Sequence, residues 1–414
     1  MKNILIKVAA LYLLIIIISS SFVYGIEEEN DPEMVIEDIP QEEEVYIEPI
    51  PPADTNFEEY NLNYLRLNDD GSPKLYSESA ILMEASTGNI LAGKDYQERK
   101  YPASLTKILT AIIVLEKCDL DETLTVSEYS VNSLQSGYAG SDMVPGETFT
   151  VREVLDVMML HSANDCAVML AEHVSGSVEE FAKLMNEKAR EIGCKNSNFV
   201  NPNGVHDENH YSTAYDMAQI ARYCMQNEEF RNIVTKKECS IPDSELYTKD
   251  YPRVFKNTNK LLIEGNRYYY KYCNGIKTGF TTPAKNCMIS SANKDGFELI
   301  CIVLHAERTD NGLSARYLDT INLFNYGYNN FNLEDIKKLY EEHDNTPLIM
   351  EPEGEVEEIV STEVEEVQTK KKESELRAKI NTLFDADVAS IVIGGFLLVV
   401  GISLLGLLRA CKKD

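Results

Sequence analysis

An α/β (α+β) architecture, an antiparallel five-stranded sheet flanked by helices with a mainly helical subdomain, follows from the order of patterns along the chain. Two strand-like runs come first, helical periodicity fills the middle, and three more strand-like runs precede a closing helix. Ser79–Glu84 (SAILME) and Asn89–Ala92 flank Ser86-Thr87-Gly88 and predict a hairpin. Ser104–Lys117 (SLTKILTAIIVLEK) has helical apolar spacing and begins with a serine, a good helix-starting residue. Further helices are expected at Val151–Met159, Asn164–Val174, Val178–Ile192 and Thr213–Gln226. Gly275–Gly279, Cys287–Ser290 and Leu299–Leu304 read as strands, and Ser314–Tyr328 as the last helix. One sheet must therefore join parts of the chain that lie far apart in sequence, with helices packed on it.

The chain has 414 residues and a formal net charge of -29, and the charge is concentrated outside this domain. Ile26 to Glu59 holds 14 acidic residues, Glu341 to Gln368 holds 11, and neither stretch has a Lys or Arg. The remainder is close to neutral, which excludes a basic nucleic-acid-binding domain; no nucleic-acid partner is expected. Like-charge blocks with prolines and few aromatics stay solvated. Residues 26–70 accordingly read as an acidic disordered linker, 71–332 as the main domain, and 333–386 as an acidic stalk.

Membrane signals stand at both ends. Lys2 and Lys7 precede the apolar run Val8–Ile18 and then three serines, so residues 1–25 read as a secretory signal peptide, with an uncleaved anchor as the competing reading. Val388–Leu408 is 21 residues without a charge, long enough to cross a bilayer. Residues 387–409 are thus expected to form a transmembrane helix and 410–414 a cytoplasmic tail. Export places the main domain outside the cytoplasm, since large domains translocate largely regardless of flanking charge.

Nine cysteines at irregular spacing include no Cys-x-x-Cys pair, which leaves a zinc ribbon or thioredoxin-type site unsupported. Buried thiols are the expected state for most of them. His206-Asp207-Glu208-Asn209-His210 has the outline of a metallopeptidase motif, but Asp stands where the glutamate would have to follow the first histidine. It reads instead as a polar loop.

Three short motifs carry the chemistry. In Ser104-Leu105-Thr106-Lys107, spacing of i to i+3 sets a hydroxyl and an amine on one helix face. A serine becomes an effective nucleophile when a neighbouring base takes its proton, and a lysine is such a base only where burial or another cation favours its neutral form. Alone, this tetrad occurs by chance about once in a chain of this length. Ser162-Ala163-Asn164 joins two apolar helices; Ser162 could relay a proton and Asn164 has the amide to hold a substrate backbone, although in isolation the triplet is better explained as a helix cap. In Lys277-Thr278-Gly279 on a strand, the lysine supplies positive potential, the hydroxyl a carboxylate contact, and the glycine room for a ligand backbone. The chemistry works only if all three converge on one groove.

This combination resembles the low-molecular-mass penicillin-binding proteins, the serine D-alanyl-D-alanine carboxypeptidases. The resemblance extends through Tyr101–Ala111, His161–Ala167, Asn203-Gly204, His210–Ala214 with Asp216, Asn274–Thr281 and Asn325–Tyr328. It implies a β-lactamase/transpeptidase-like fold with no cofactor. It also implies a peptidoglycan pentapeptide ending in D-Ala-D-Ala as substrate, and β-lactams as inhibitors. Residue by residue, it makes Ser104 the acylated nucleophile, Lys107 its base and Ser162 a proton-transfer partner. Asn164 would orient substrate, Lys277, Thr278 and Gly279 would border its terminal carboxylate, and the backbone N–H groups of Ser104 and Phe280 would form the oxyanion hole. Arg316 falls where the family keeps a basic residue for the same carboxylate. Phe280 departs from the polar residue that relatives often carry there.

Two other readings stay open. A class A β-lactamase needs a glutamate to activate water for rapid deacylation, and Asn196–Asn201 (NSNFVN) supplies none. A non-catalytic penicillin- or cell-wall-binding protein would keep the pocket without turnover.

Overall fold

Phe297–Ala306 is an almost unbroken apolar strand because the sheet containing it is covered on both faces. In it Ile300, Ile302 and Leu304 point into one core while Leu299, Cys301 and Val303 point into another. The computed structural model describes residues 65–134, 137–309 and 312–352 and the backbone of 356–358. Apart from 137–139, these belong to one compact unit.

The strands are β1 (Ser79–Glu84), β2 (Ile90–Lys94), β3 (Thr123–Thr125), β4 (Thr148–Thr150), β5 (Glu238–Ser240), β6 (Val254–Lys256), β7 (Cys273–Thr281), β8 (Lys285–Lys294), β9 (Phe297–Ala306), β10 (Leu348–Met350) and β11 (Val356–Glu358). The main sheet runs β11-β10-β2-β1-β9-β8-β7, so the N-terminal pair meets the C-terminal three at β1 and β9, from Ser79 opposite Leu304 to Glu84 opposite Leu299. These five strands are antiparallel, as expected. Two short ribbons, β3 with β4 and β5 with β6, stand apart from the sheet.

A 3₁₀ turn (Ala103–Thr106) leads into helix α1 (Lys107–Lys117). Then come α2 (Glu128–Asn132), α3 (Val151–Leu160), α4 (Asn164–Ser175), α5 (Val178–Ile192), α6 (Ala214–Cys224), α7 (Glu228–Val234), α8 (Ala315–Asn330) and α9 (Leu333–Glu342). Local chemistry sets their ends. Thr150 and Glu153 form a reciprocal capping box on α3, and Ser177 and Thr213 cap α5 and α6. Gly176, at φ +79°, ends α4 in the left-handed conformation that glycine adopts without strain. Helices α1, α3, α4 and α6 pack in the core on one sheet face, while α8 fills the other with Tyr317, Ile321 and Phe324.

The expected domain limits of 71 and 332 are both too narrow. At the start, Arg66 Nη2 donates to Leu318 O at 2.8 Å and Asn322 Nδ2 donates to Arg66 O at 3.0 Å, which ties residues before 71 to α8. At the end, the stretch read as stalk begins with α9, whose Ile336 is buried, and continues into two strands. Leu348 N donates to Asn89 Oδ1 at 2.9 Å, and β10 lies parallel to β2. The reason is physical: β2 would otherwise end the sheet with unpaired backbone groups, and Leu348-Ile349-Met350 is an apolar triplet that the surrounding acidic composition conceals.

The signal-peptide and transmembrane stretches, 1–25 and 387–409, lie outside the described residues, as do most of the acidic segments. Among the described residues no helix is long and apolar enough to cross a membrane. The described cysteines are free thiols, of which Cys166, Cys194, Cys224, Cys287 and Cys301 are buried.

Candidate active site

The first two motifs meet at one atom. Lys107 is wholly buried, and its Nζ lies 3.0 Å from Ser104 Oγ while donating to Asn164 Oδ1 at 2.8 Å and to the backbone oxygen of Asn203 at 2.8 Å. The 3₁₀ turn brings Ser104 and Lys107 to the same side at the start of α1, and Asn164 reaches them as the first residue of α4.

Two positions carry unusual backbone. Ala103 has φ +48° and Ser162 has φ +69°, the left-handed region that side chains other than glycine rarely occupy. Both residues are buried, and such strain persists only if the surroundings over-determine it. Ser162 lies in the tight turn between α3 and α4, two residues before Asn164.

The third motif lies on β7, the edge strand of the sheet. Lys277, Thr278 and Gly279 are buried there and Phe280 is half-buried. Lys277 Nζ donates to Thr278 O at 3.0 Å, and the Thr278 and Thr258 hydroxyls lie 2.6 Å apart. Gly279 allows a close approach: a Cβ there would come within 3.1 Å of Ser104 N and 3.2 Å of Leu105 N, tight enough to push those backbone atoms away. The edge strand is thereby drawn against the nucleophile turn. Arg316, at the start of α8, is buried and its Nη1 donates to Gly279 O at 3.4 Å. Of the residues singled out by sequence, Ser104, Lys107 and Asn164 are in direct contact, Gly279 lies against the Ser104 turn, and Arg316 is linked to Gly279.

The backbone acceptor from Asn203 is new. Residues 201–204 form a loop laid along α1: Asn201 Oδ1 accepts from Gly204 N at 2.7 Å, and Thr110 Oγ1 donates to Pro202 O at 2.6 Å. Gly204 adopts φ +81°, and a Cβ there would sit 1.9 Å from Ala103 O. That glycine was a signal available in the sequence, since a backbone carbonyl leaves no mark of its own.

His210 braces this loop. Val200 N donates to its Nδ1 at 3.2 Å, so Nε2 carries the hydrogen and donates to Thr106 Oγ1 at 2.8 Å. Burial holds the imidazole far below its ordinary value, at about 4. Protonation must then cost folding free energy. The unfolded chain binds the proton near pH 6.5 and the folded one near 4, so stability from this group is complete above 6.5 and is lost as pH falls toward 4. The full loss is on the order of 3 kcal/mol. Chemical denaturation between pH 7 and 4 should show that slope, and His210→Gln should flatten it; an unchanged slope in the variant would remove His210 as its source.

Comparison with known proteins bears on the same region. A family model described as D-alanyl-D-alanine carboxypeptidase matches residues 67–308. The chain is 38% identical over 232 residues to D-alanyl-D-alanine carboxypeptidase DacF of Bacillus subtilis, covering 56% of this chain and 57% of that protein. It is 30% identical over 269 residues to a D-alanyl-D-alanine carboxypeptidase of a Streptomyces strain, covering 62% and 88%. Among solved structures it is similar to a serine-to-alanine mutant of the Streptomyces K15 DD-transpeptidase, with a TM-score of 0.57, 28% identity, and coverage of 62% of this chain and 100% of that one. A D-alanyl-D-alanine carboxypeptidase from Mycobacterium tuberculosis gives a TM-score of 0.58 at 25% identity, covering 65% and 98%. The matched region spans 57% of the Bacillus relative's length and 63% of the length of an Escherichia coli relative, DacC.

Proposed function

We propose, since the chain belongs to the D-alanyl-D-alanine carboxypeptidase family, that it is a serine D,D-carboxypeptidase that removes the terminal D-alanine from peptidoglycan stem peptides. The observation that carries the reading is the wholly buried Lys107 amine 3.0 Å from Ser104 Oγ. Burial favours the uncharged form of an amine. In that form the nitrogen has two hydrogens and one lone pair. The carbonyl oxygens of Asn164 and Asn203 each accept one hydrogen, and the lone pair takes the Ser104 hydroxyl proton.

The reaction then runs in two halves. Ser104 Oγ attacks the carbonyl of the penultimate D-alanine as Lys107 Nζ takes the hydroxyl proton. The tetrahedral oxyanion is held by the N–H groups of Ser104 and Phe280, each worth about 3–4 kcal/mol in sites of this kind. Collapse of that intermediate breaks the peptide bond, and the proton passes by way of Ser162 to the departing amine. Water attacks acyl-Ser104 by the reverse route and frees the shortened peptide. Lys277, Thr278 and Arg316 face the substrate's carboxylate, and Asn164 orients its backbone. Asn196–Asn201 supplies no glutamate for fast deacylation, so a β-lactam acyl-enzyme persists. The fitting location is outside the cytoplasmic membrane, with residues 387–409 as the anchor.

The test is product analysis. The full-length chain, incubated with a pentapeptide ending in D-Ala-D-Ala, should release one D-alanine per peptide and leave a tetrapeptide. Rapid hydrolysis of penicillin with no D-alanine released would favour a β-lactamase; a stable penicillin adduct with no peptide turnover would favour a binding protein. The neighbouring DD-transpeptidase structure supports a second reading, transfer to an amine acceptor, and adding an acceptor peptide to the same reaction would expose cross-linked product. Lys277→Ala should slow acylation roughly 30-fold, matching about 2 kcal/mol for a lost charge-assisted hydrogen bond. Unchanged acylation would remove Lys277 from carboxylate recognition.

A further inference from the structure

At the ends of α1 and α4 remote from Ser104, three side chains of different chemistry converge. Cys118 follows the last residue of α1, His173 lies in the last turn of α4, and Glu122 sits in the tight turn that leads into β3. One donor atom from each lies within 4.8 Å of the other two, and Glu122 Oε2 is 3.1 Å from His173 Nε2. We propose that Cys118, Glu122 and His173 bind one divalent cation of the zinc type.

Four features support it. A thiolate, an imidazole and a carboxylate are all zinc ligands, and the thiolate selects against magnesium and calcium. In a tetrahedral zinc site neighbouring donor atoms stand roughly 3 to 4 Å apart, so the observed separations need only a small closure. Glu122 is already aimed: Asp119 N donates to its Oε1 at 2.8 Å, which turns Oε2 toward His173. Both helices also end here, and the unsatisfied carbonyls of helix C-termini favour a cation. Binding releases the Cys118 thiol proton to solvent, and the thiolate and carboxylate charges then balance a dication. Three protein ligands leave the fourth position to water, and the half-exposed thiol and exposed Glu122 and His173 leave an entry path.

The site would join α1 and α4 a second time. Their N-terminal ends already meet through Lys107 and Asn164, so a cation at the C-terminal ends would tie the helices at both ends.

Cobalt(II) substitution of the full-length chain tests this without reference to activity. One equivalent of cobalt should give tetrahedral d–d absorption and a thiolate-to-cobalt charge-transfer band. Cys118→Ser should abolish that band, and His173→Ala should weaken cobalt binding by at least about ten-fold. Zinc should raise the thermal midpoint of the parent chain and leave that of Cys118→Ser unchanged. Penicillin labelling, which does not involve Cys118, would verify that the variants are folded. The absence of a charge-transfer band in the parent chain would overturn the site, as would a band of undiminished strength in Cys118→Ser. In either case the cluster holds only the His173–Glu122 hydrogen bond.

Discussion

Ser104→Ala should eliminate D-alanine release, with a fall in kcat of about a million-fold, the scale seen when a serine nucleophile is removed from a comparable catalytic unit. Labelling by a fluorescent penicillin should disappear with it, since both depend on the same Oγ. The substitution deletes one oxygen from a buried position and leaves a side chain of nearly the same volume, so the fold should survive. A variant with native circular dichroism and undiminished labelling would show that another residue is acylated.

Lys107 gives the second large effect, and the choice of substitution separates two roles. Lys107→Ala should slow acylation roughly 10²- to 10⁴-fold, the usual span for loss of a general base. It should also destabilise the fold. Asn164 Oδ1 and Asn203 O would each lose a buried donor, at about 1–3 kcal/mol apiece. Lys107→Arg supplies positive charge and N–H donors but no lone pair, because a guanidinium is not deprotonated in proteins. If Lys107 acts as a base, acylation by penicillin in the arginine variant should stay as slow as in the alanine variant. Recovery of the rate in Lys107→Arg would mean that positive charge, not proton abstraction, is what the serine needs.

How much of this was legible in advance depended on whether a side chain announced the feature. The buried strands declared themselves: β9 reads as a continuous apolar run because both of its faces are covered, and α5 has the expected bounds Val178 and Ile192, with Ser177 capping its start and Gly193 ending it. Capping and termination leave residue-level marks of this kind. The helix at Ser104 was placed correctly but not its first turn, which is 3₁₀ with Ala103 at φ +48°, a conformation that no residue there signals.

The misses share a cause. Strand β10 is three residues long and enclosed by acidic sequence, so composition outweighed the apolar triplet that pairs with β2. Helix α9 carries charge on most positions and buries chiefly Ile336, too narrow a stripe to stand out against a tail. Within the site, the motifs supplied side chains, while the loop that completes the contacts of Lys107 does so through the backbone carbonyl of Asn203. Its visible traces were Gly204, whose missing Cβ lets the loop approach Ala103, and His210, first weighed as part of a metal motif and placed by the structure against Thr106.

The most direct measurement is the location of the acyl group. Trypsin cleaves after Lys100 and after Lys107, which isolates Tyr101–Lys107 with Ser104 as its single serine, while Ser162 falls in the separate peptide Glu153–Lys183. When the penicillin-treated full-length chain is digested and mapped by mass, Tyr101–Lys107 should carry the whole adduct, on Ser104. An adduct on Glu153–Lys183 or on any other peptide, or none at all, would contradict the account.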